Sequence, residues 1–230
     1  MKLSHLFIVF LLLCPLIKTI AQDTPTVRGF VGVAGYLDGD FENSLFVGVN
    51  VGAEFNINHF IMPQLDTSYF YGSREDETNY GNQGQLLSIY SSYASAINFN
   101  FCPKICIGND GNRDTYLVIL PKYSFSKVTA VGNFTALNAN DIKTTTKETI
   151  TDWEHSLGIG MGIDISLSDE NSDSLSLNIY YENVPMSKPL EELNHGARIM
   201  GKNALGAGIN YYFSFKKSVK PSPIRIPNPM

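Results

Sequence analysis

Glu154, His155 and Ser156 stand side by side and are the residue types of a hydrolytic site, in which a histidine takes a proton from a serine and a carboxylate orients the histidine. The surrounding segment WEHSLGIGMGIDISL (153–167) alternates apolar with small residues, as a β-strand does. Neighbouring side chains on a strand point to opposite faces, and the same-face position two residues after His155 is Leu157. The spacing therefore predicts no serine–histidine pair and no catalytic residues.

Two cysteines, Cys102 and Cys106, lie four residues apart in FCPKIC (101–106), on either side of a Pro103–Lys104 step. In an exported chain, two cysteines around a proline turn most simply form a local disulfide. A metal site would need further ligands close by in the sequence, and none is present there. We therefore predict a Cys102–Cys106 disulfide, with no bound metal and no cofactor.

The elements that must position these residues are strands. Four stretches alternate bulky apolar with small or polar residues, which is the period of a β-strand: 45–57, 153–167, 174–182 and 204–215. Weaker segments at 27–37, 60–71, 86–101 and 115–127 complete a set of eight. Pro63 and Pro121 lie within two of the weaker segments and cannot donate to the ladder. The sequence predicts an all-β fold of eight strands.

The connections between the predicted strands alternate in length. Long connections fall at 38–44, 72–85, 128–152 and 184–202, whereas short ones fall near 58–59 and 168–173. The connection 102–114 is longer than this pattern prefers, and only the disulfide accounts for it. A meander whose long loops share one end predicts an antiparallel, up-and-down arrangement with two different ends.

The N-terminus has the pattern of an export signal. Lys2 precedes a 12-residue apolar run, LFIVFLLLCPLI (6–17), and Ala21 offers a small residue for cleavage. A membrane-spanning helix would need about 20 apolar residues. We predict a signal peptide over 1–21, a β-barrel domain over 22–215 and a Pro-rich basic tail over 216–230. The tail would face the periplasm, where it would contact peptidoglycan or a periplasmic partner.

An export signal followed by eight alternating strands resembles the porin-like outer-membrane β-barrel proteins of Gram-negative bacteria. The last strand, GAGINYYFSF, is similar to the aromatic-ended final strand of that family, although this chain continues for 15 residues beyond Phe215. The resemblance implies an eight-stranded transmembrane β-barrel in the outer membrane, surrounded by lipid and inserted by the barrel assembly machinery. It carries no invariant residues, so it implies an architecture and not an activity.

Alternation alone does not say which face meets lipid, and a secreted, lipocalin-like ligand carrier would turn its apolar face inward. The face opposite the apolar series is unusually small, as Gly158, Gly160 and Gly162 illustrate. Small residues suit the narrow lumen of an eight-stranded barrel, whereas a soluble exterior would carry Lys, Glu and Thr. Aromatic residues near the strand ends, such as Trp153 and Tyr211, suit a membrane interface. We therefore expect the apolar face to meet lipid.

The same register predicts a polar network in the lumen. Its members are Glu54, Asp66, Lys122, Glu154, Asp164 and Glu182, with Arg28 less certain. Carboxylates outnumber bases in this set, although buried charges should be paired. Two interpretations stay open: a polar plug that locks the barrel, or a path for protons or cations.

Composition restricts the function. The net charge of −5 argues against nucleic acid as a partner, since phosphate binding needs a basic face. We expect a structural or surface-interaction role through the long extracellular loops. The alternatives are a small-solute transport or binding barrel and the secreted ligand carrier. A lipid-modifying activity of the deacylase type is disfavoured because no same-face Ser–His pair exists.

Overall fold

The computed structural model describes residues 27–37, 45–109, 114–137, 143–167, 173–183, 186–193 and 203–214. The predicted signal peptide 1–21, the tail 216–230 and Phe215 lie outside these residues. The described elements are β1 (Val27–Leu37), β2 (Leu45–Phe55), β3 (Ile61–Ser73), β4 (Glu77–Tyr80), β5 (Leu86–Ile107), β6 (Thr115–Leu137), β7 (Lys143–Ser166), β8 (Ser174–Asn183), helix α1 (Ser187–Glu191) and β9 (Asn203–Ser214). Among the described residues, no helix has the length and apolar character needed to cross a membrane.

Eight of the strands close into a ring. Each strand pairs antiparallel with its neighbour in the order β1–β2–β3–β5–β6–β7–β8–β9, and β9 returns to pair with β1. The short β4 stands outside the ring and pairs only with the first residues of β5. The predicted eight-stranded, antiparallel, up-and-down barrel is therefore confirmed.

The bulky aliphatic residues of the alternating strands face outward. Val33 is 58% exposed, Met161 62% and Leu157 73%, whereas the inward-facing Tyr36 and Phe46 are at most 2% exposed. A soluble barrel would show the reverse, because burying apolar surface is what stabilises a fold in water. The lipocalin-like alternative is wrong for this reason. An outward belt of Val, Leu, Ile and Met is instead suited to hydrocarbon.

Three consecutive strands are about twice as long as the others. β5, β6 and β7 contain 22, 23 and 24 residues, against 10 to 13 for the remaining strands of the ring. Their extra length forms a sheet that projects beyond the barrel, which we call the wing: residues 86–92 of β5, 127–137 of β6 and 143–155 of β7, together with β4. The predicted segment 115–127 ends ten residues before β6 does, and the predicted segment 153–167 begins ten residues after β7 does. Residues 143–152 of β7 are polar on both faces apart from Ile150 and therefore lack the alternation of a membrane strand.

The predicted disulfide does not form. Cys102 and Cys106 are both buried free cysteines that point into the lumen from β5. Four residues of strand separate them by about 13 Å, well beyond the reach of a disulfide. Pro103 lies within the strand and makes no turn. It faces outward and is the cross-strand partner of Pro63 of β3. The β5–β6 ladder is interrupted between Phe101 and Ile105, where this proline lies. With β5 continuing to Ile107, the connection to β6 shortens to 108–114 and matches the other short turns.

Aromatic rings fill the part of the lumen beneath the wing. Tyr36 stacks on Phe46 with their ring centroids 4.9 Å apart, and Phe70 lies against the same ring at 5.1 Å. The small residues of the lumen make room for them: a Cβ added at Gly206 would lie 2.5 Å from the Tyr36 ring, and one at Gly48 would lie 2.4 Å from the Phe70 ring. This close approach explains the glycines of the inward series.

Candidate functional site

The lumen near the start of β1 and the end of β9 holds a buried ion cluster centred on Lys104 of β5. The Lys104 Nζ donates to Glu54 Oε2 of β2 at 2.7 Å and also to Asp164 of β7. Arg28 of β1 forms a second ion pair with Glu54, and the side chain of Lys104 is 0% exposed. The ring of Tyr212 lies 4.3 Å from Lys104 Nζ, in cation–π range. Ion pairs thereby join four strands across the barrel, and Tyr212 adds a fifth, β9.

A second ion cluster lies nearer to the wing. Lys122 of β6 pairs with Glu182 of β8, and Asn100 Nδ2 donates to Asp66 Oδ1 at 2.5 Å. Between the two clusters a cavity of about 30 Å³ remains, with Asn210, Gln64 and Lys122 among its lining residues. That volume suits about one water molecule. Side chains thus occupy the described lumen in place of an open channel.

Most of the predicted lumen residues meet in these two clusters, and one does not. Glu54, Asp66, Lys122, Asp164 and Glu182 all belong to them. Glu154 faces the same side of β7 but lies in the wing, where its carboxylate accepts a hydrogen bond from Lys188 of α1 at 2.9 Å. Sequence reasoning missed Lys104, because Pro103 was interpreted as part of a turn. The available signal was the strand alternation: Lys104 lies an even number of residues from Asn98, Asn100 and Cys102, so it faces the lumen as they do.

Helix α1 packs onto the inner face of the wing, above the lumen. Met186, Leu190 and Leu193 are at most 3% exposed and belong to the same buried cluster as Val128 and Ala130 of β6. Lys188 extends from the helix to Asp152 and Glu154 of β7. These hydrogen bonds, Asp152 first, raise the pKa of Lys188 above its ordinary value. Helix α1 therefore lies over the lumen on the side of β5, β6 and β7.

The far edge of the wing is an unpaired strand. β7 pairs with β8 only from Gly158 onward, whereas it pairs with β6 up to Lys143. The Ser166 N–H donates toward β6, at Asp114, and the Leu167 N–H donates toward β8, at Asp173. Since these directions alternate along a strand, the odd-numbered residues of β7 aim their N–H and C=O groups away from β6. Among the described residues, the backbone of Thr145, Lys147, Thr149 and Thr151 has no strand partner on that side.

The two edges of the wing differ. The other edge is β4, which is four residues long, carries Glu77 and has a register irregularity at Asn79 and Tyr80. Short length, charge and a bulge are devices that prevent strand addition. The β7 edge carries the charges of Lys143, Lys147, Glu148 and Asp152, but it is longer and its ladder to β6 has no register shift. The N–H of Trp153, at its lower end, is capped by Asp152 Oδ1 at 2.8 Å. Of the two edges, β7 therefore offers the longer and more regular run of backbone groups.

The candidate hydrolytic residues are separated as the strand period predicts. His155 faces outward, where its Nδ1 shares a 2.6 Å hydrogen bond with the Tyr123 hydroxyl, and Ser156 is buried on the inner side. Phe125 stacks on Trp153 at 4.7 Å and lies 4.9 Å from the His155 ring. Within the described ranges, no group of three or more His, Cys, Asp and Glu side chains is placed to hold a metal ion. Tyr123, Phe125, Trp153 and His155 form an aromatic group that ends the apolar belt on β6 and β7.

The chain matches no sequence-family profile and no curated protein. Its fold is similar to that of several solved proteins. A major outer membrane protein from Thermus thermophilus has 13% identity and a TM-score of 0.46, over 81% of this chain and 99% of that protein. CarO of Acinetobacter baumannii has 11% identity and a TM-score of 0.39, over 84% and 99%. Neisserial surface protein A has 11% identity and a TM-score of 0.38, over 80% and 94%.

The predicted likeness to porin-like outer-membrane β-barrel proteins is confirmed at the level of the fold. A closed antiparallel barrel with an apolar outer belt and aromatic ends is the architecture with which bacterial proteins span the outer membrane. The chain lies in that membrane. Short periplasmic turns and long extracellular connections are the rule for such barrels, so the wing and α1 lie on the outer side.

Proposed function

We propose that this outer-membrane barrel is a surface-interaction protein that binds its partner by adding a strand to the free edge of β7. The observation that carries the proposal is a run of backbone N–H and C=O groups that point away from β6 in the plane of the sheet, at Thr145, Lys147, Thr149 and Thr151. An extended segment of a partner protein can complete such a ladder, with main-chain hydrogen bonds providing affinity. Six residues of edge span about 20 Å, enough for a partner strand of ordinary length.

The composition of the edge supports this role. Five threonines lie between 144 and 151, and threonine favours an extended backbone. On the outer face Thr129 bonds Thr151, and Thr135 bonds Thr145, both at 3.2 Å between hydroxyl oxygens. These cross-strand pairs and the anchored α1 hold the edge in shape before a partner arrives, which reduces the entropy that binding must overcome.

The filled lumen supports a binding role over transport. Rings and ion pairs cross the barrel, and α1 lies over its lumen. An eight-stranded barrel of this kind has an interior just wide enough for its own side chains. No observation favours solute passage, and the outward–inward separation of His155 and Ser156 gives no support to a lipid-modifying reaction.

Proline at Thr149 is expected to weaken strand addition without harming the barrel. The Thr149 N–H points to the free edge, so Thr149→Pro removes that donor and blocks the approach of a partner strand, yet leaves the β6–β7 ladder intact. We expect roughly tenfold weaker binding of extended peptides. The measurement is binding of the refolded full chain to an array of 12-residue peptides rich in Val, Ile and Thr.

Thr149→Ala is the matched control, since it removes the same side chain and keeps the N–H. It should bind as the parent does, and both variants should show the heat-dependent gel mobility of a folded barrel. Equal binding by Thr149→Pro and Thr149→Ala would contradict the proposal. Failure of every peptide on the array to bind the parent protein would contradict it as well.

A further inference from the structure

The two faces of the wing carry charges of opposite sign. Cross-strand partners share a face, and Lys127 lies opposite Trp153, Lys147 opposite Asn133 and Lys143 opposite Leu137, all on the outward side. The acids of the wing lie on the other side: Glu77, Glu148, Asp152 and Glu154. The outward positions of β4 to β7 in the wing include no carboxylate among the described residues.

Lys127 is placed where lipid headgroups lie. Its cross-strand partner Trp153 belongs to the aromatic group that ends the apolar belt, and tryptophan prefers the boundary between hydrocarbon and water. Below that group the outward residues of β7 are Leu157, Ile159, Met161, Ile163 and Ile165. On the other side of Trp153, Lys147 lies six residues away along β7, which places it up to about 20 Å from the boundary between hydrocarbon and water.

Among the described residues, these cations have no ion-pair partner. Neither Lys127 nor Lys147 forms an ion pair with any described residue, and Lys127 is exposed. By contrast, Lys104, Lys122 and Lys188 are all paired with carboxylates. Ammonium groups at the membrane boundary attract phosphate, and no carboxylate of the described outward positions opposes that attraction.

We propose that the outward face of the wing binds the phosphate groups of anionic lipids in the outer leaflet, with Lys127 contacting the headgroup and Lys147 charges further from the membrane. The Trp153–Phe125 stack packs against the upper acyl chain below the bound headgroup. This site is separate from the strand-addition edge, because it uses outward side chains where the edge uses backbone groups. Lipid bound in this way would hold the wing upright on the membrane.

Trp153 gives a direct readout, because it is the single tryptophan of the chain and lies opposite Lys127. The full chain is refolded in phosphatidylcholine vesicles that contain a fixed fraction of brominated lipid, which quenches tryptophan fluorescence on contact. Brominated phosphatidic acid should quench Trp153 more than brominated phosphatidylcholine does, corresponding to a relative affinity of roughly fivefold. High salt should reduce this preference.

Lys127→Gln should remove most of the preference, and Lys127→Arg should keep it. Lys216→Gln with Lys217→Gln, which removes charge from the sequence after β9, should leave the preference unchanged. Equal quenching by the two brominated lipids in the parent protein would overturn the proposal. A preference that survives Lys127→Gln would overturn it too. Peptide binding at the β7 edge should be unaffected by Lys127→Gln, which separates this test from that of the proposed function.

Discussion

Replacing Lys104 by methionine is expected to destabilise the folded barrel by about 3–5 kcal/mol. Lys104 is fully buried and pairs with both Glu54 and Asp164. Methionine fills a similar volume, so the loss of stability comes mainly from the two carboxylates. Asp164 has no other described cation within ion-pair distance, and Glu54 keeps only Arg28. Removing one partner of a buried pair is costly because the remaining charge stays out of water. The measurement is urea unfolding of the barrel in phosphatidylcholine vesicles.

Two controls define the origin of that effect. Adding Asp164→Asn to Lys104→Met removes the carboxylate that has no other described cation, while Glu54 keeps its pair with Arg28, and should restore much of the lost stability. Lys188→Met removes an exposed lysine from α1 and should change the urea midpoint little, because exposed ion pairs contribute little. If Lys104→Met unfolded at the same urea concentration as the parent, the cluster would not stabilise the lumen.

Arginine at Met161 is expected to destabilise the barrel by about 2–4 kcal/mol, because it places a charge in the middle of the hydrocarbon layer. Met161 faces outward, is 62% exposed, and lies midway along the apolar series of β7 between Leu157 and Ile165. In water the same change at so exposed a site would cost little. The size of the effect therefore reports what surrounds the belt.

Thr149→Arg is the matched control for Met161→Arg. Thr149 faces outward on the same strand, but in the wing and beyond the aromatic group. The expected cost is about 0–1 kcal/mol, as for positions near or outside the membrane boundary. Equal costs at the two positions, measured by urea unfolding in the same vesicles, would show that no hydrocarbon surrounds Met161.

The strands of the barrel wall could be predicted from the sequence because lipid and a narrow lumen impose opposite demands on successive residues. β2, β8 and β9 begin and end within two residues of their predicted bounds. The predicted even number of strands in the ring also followed from that alternation and from the spacing of the loops.

The wing and Lys104 could not be predicted, for two different physical reasons. Residues 143–152 of β7 are polar on both faces apart from Ile150, so they have no amphipathic alternation to detect, whereas residues 128–137 of β6 alternate but have their strand partner in that undetected segment. Pro103 normally marks a turn, and its place inside β5 depends on facing Pro63 across the β3–β5 ladder, a pairing between residues 40 positions apart in sequence. Because the sequence places Pro103 in a turn, it does not predict that Lys104 faces the lumen, and the predicted network lacks the cation that pairs with Glu54 and Asp164.

Spin labels along the outward positions of β7 test most directly whether lipid surrounds the belt. A nitroxide placed in turn at Leu157, Ile159 and Ile163 should collide often with oxygen, which concentrates in hydrocarbon, and rarely with a water-soluble nickel complex. Labels at Thr145 and Thr149 of the wing should show the reverse, since those positions lie beyond the aromatic group. Frequent collisions with nickel at Leu157, Ile159 and Ile163, with little access for oxygen, would contradict the account.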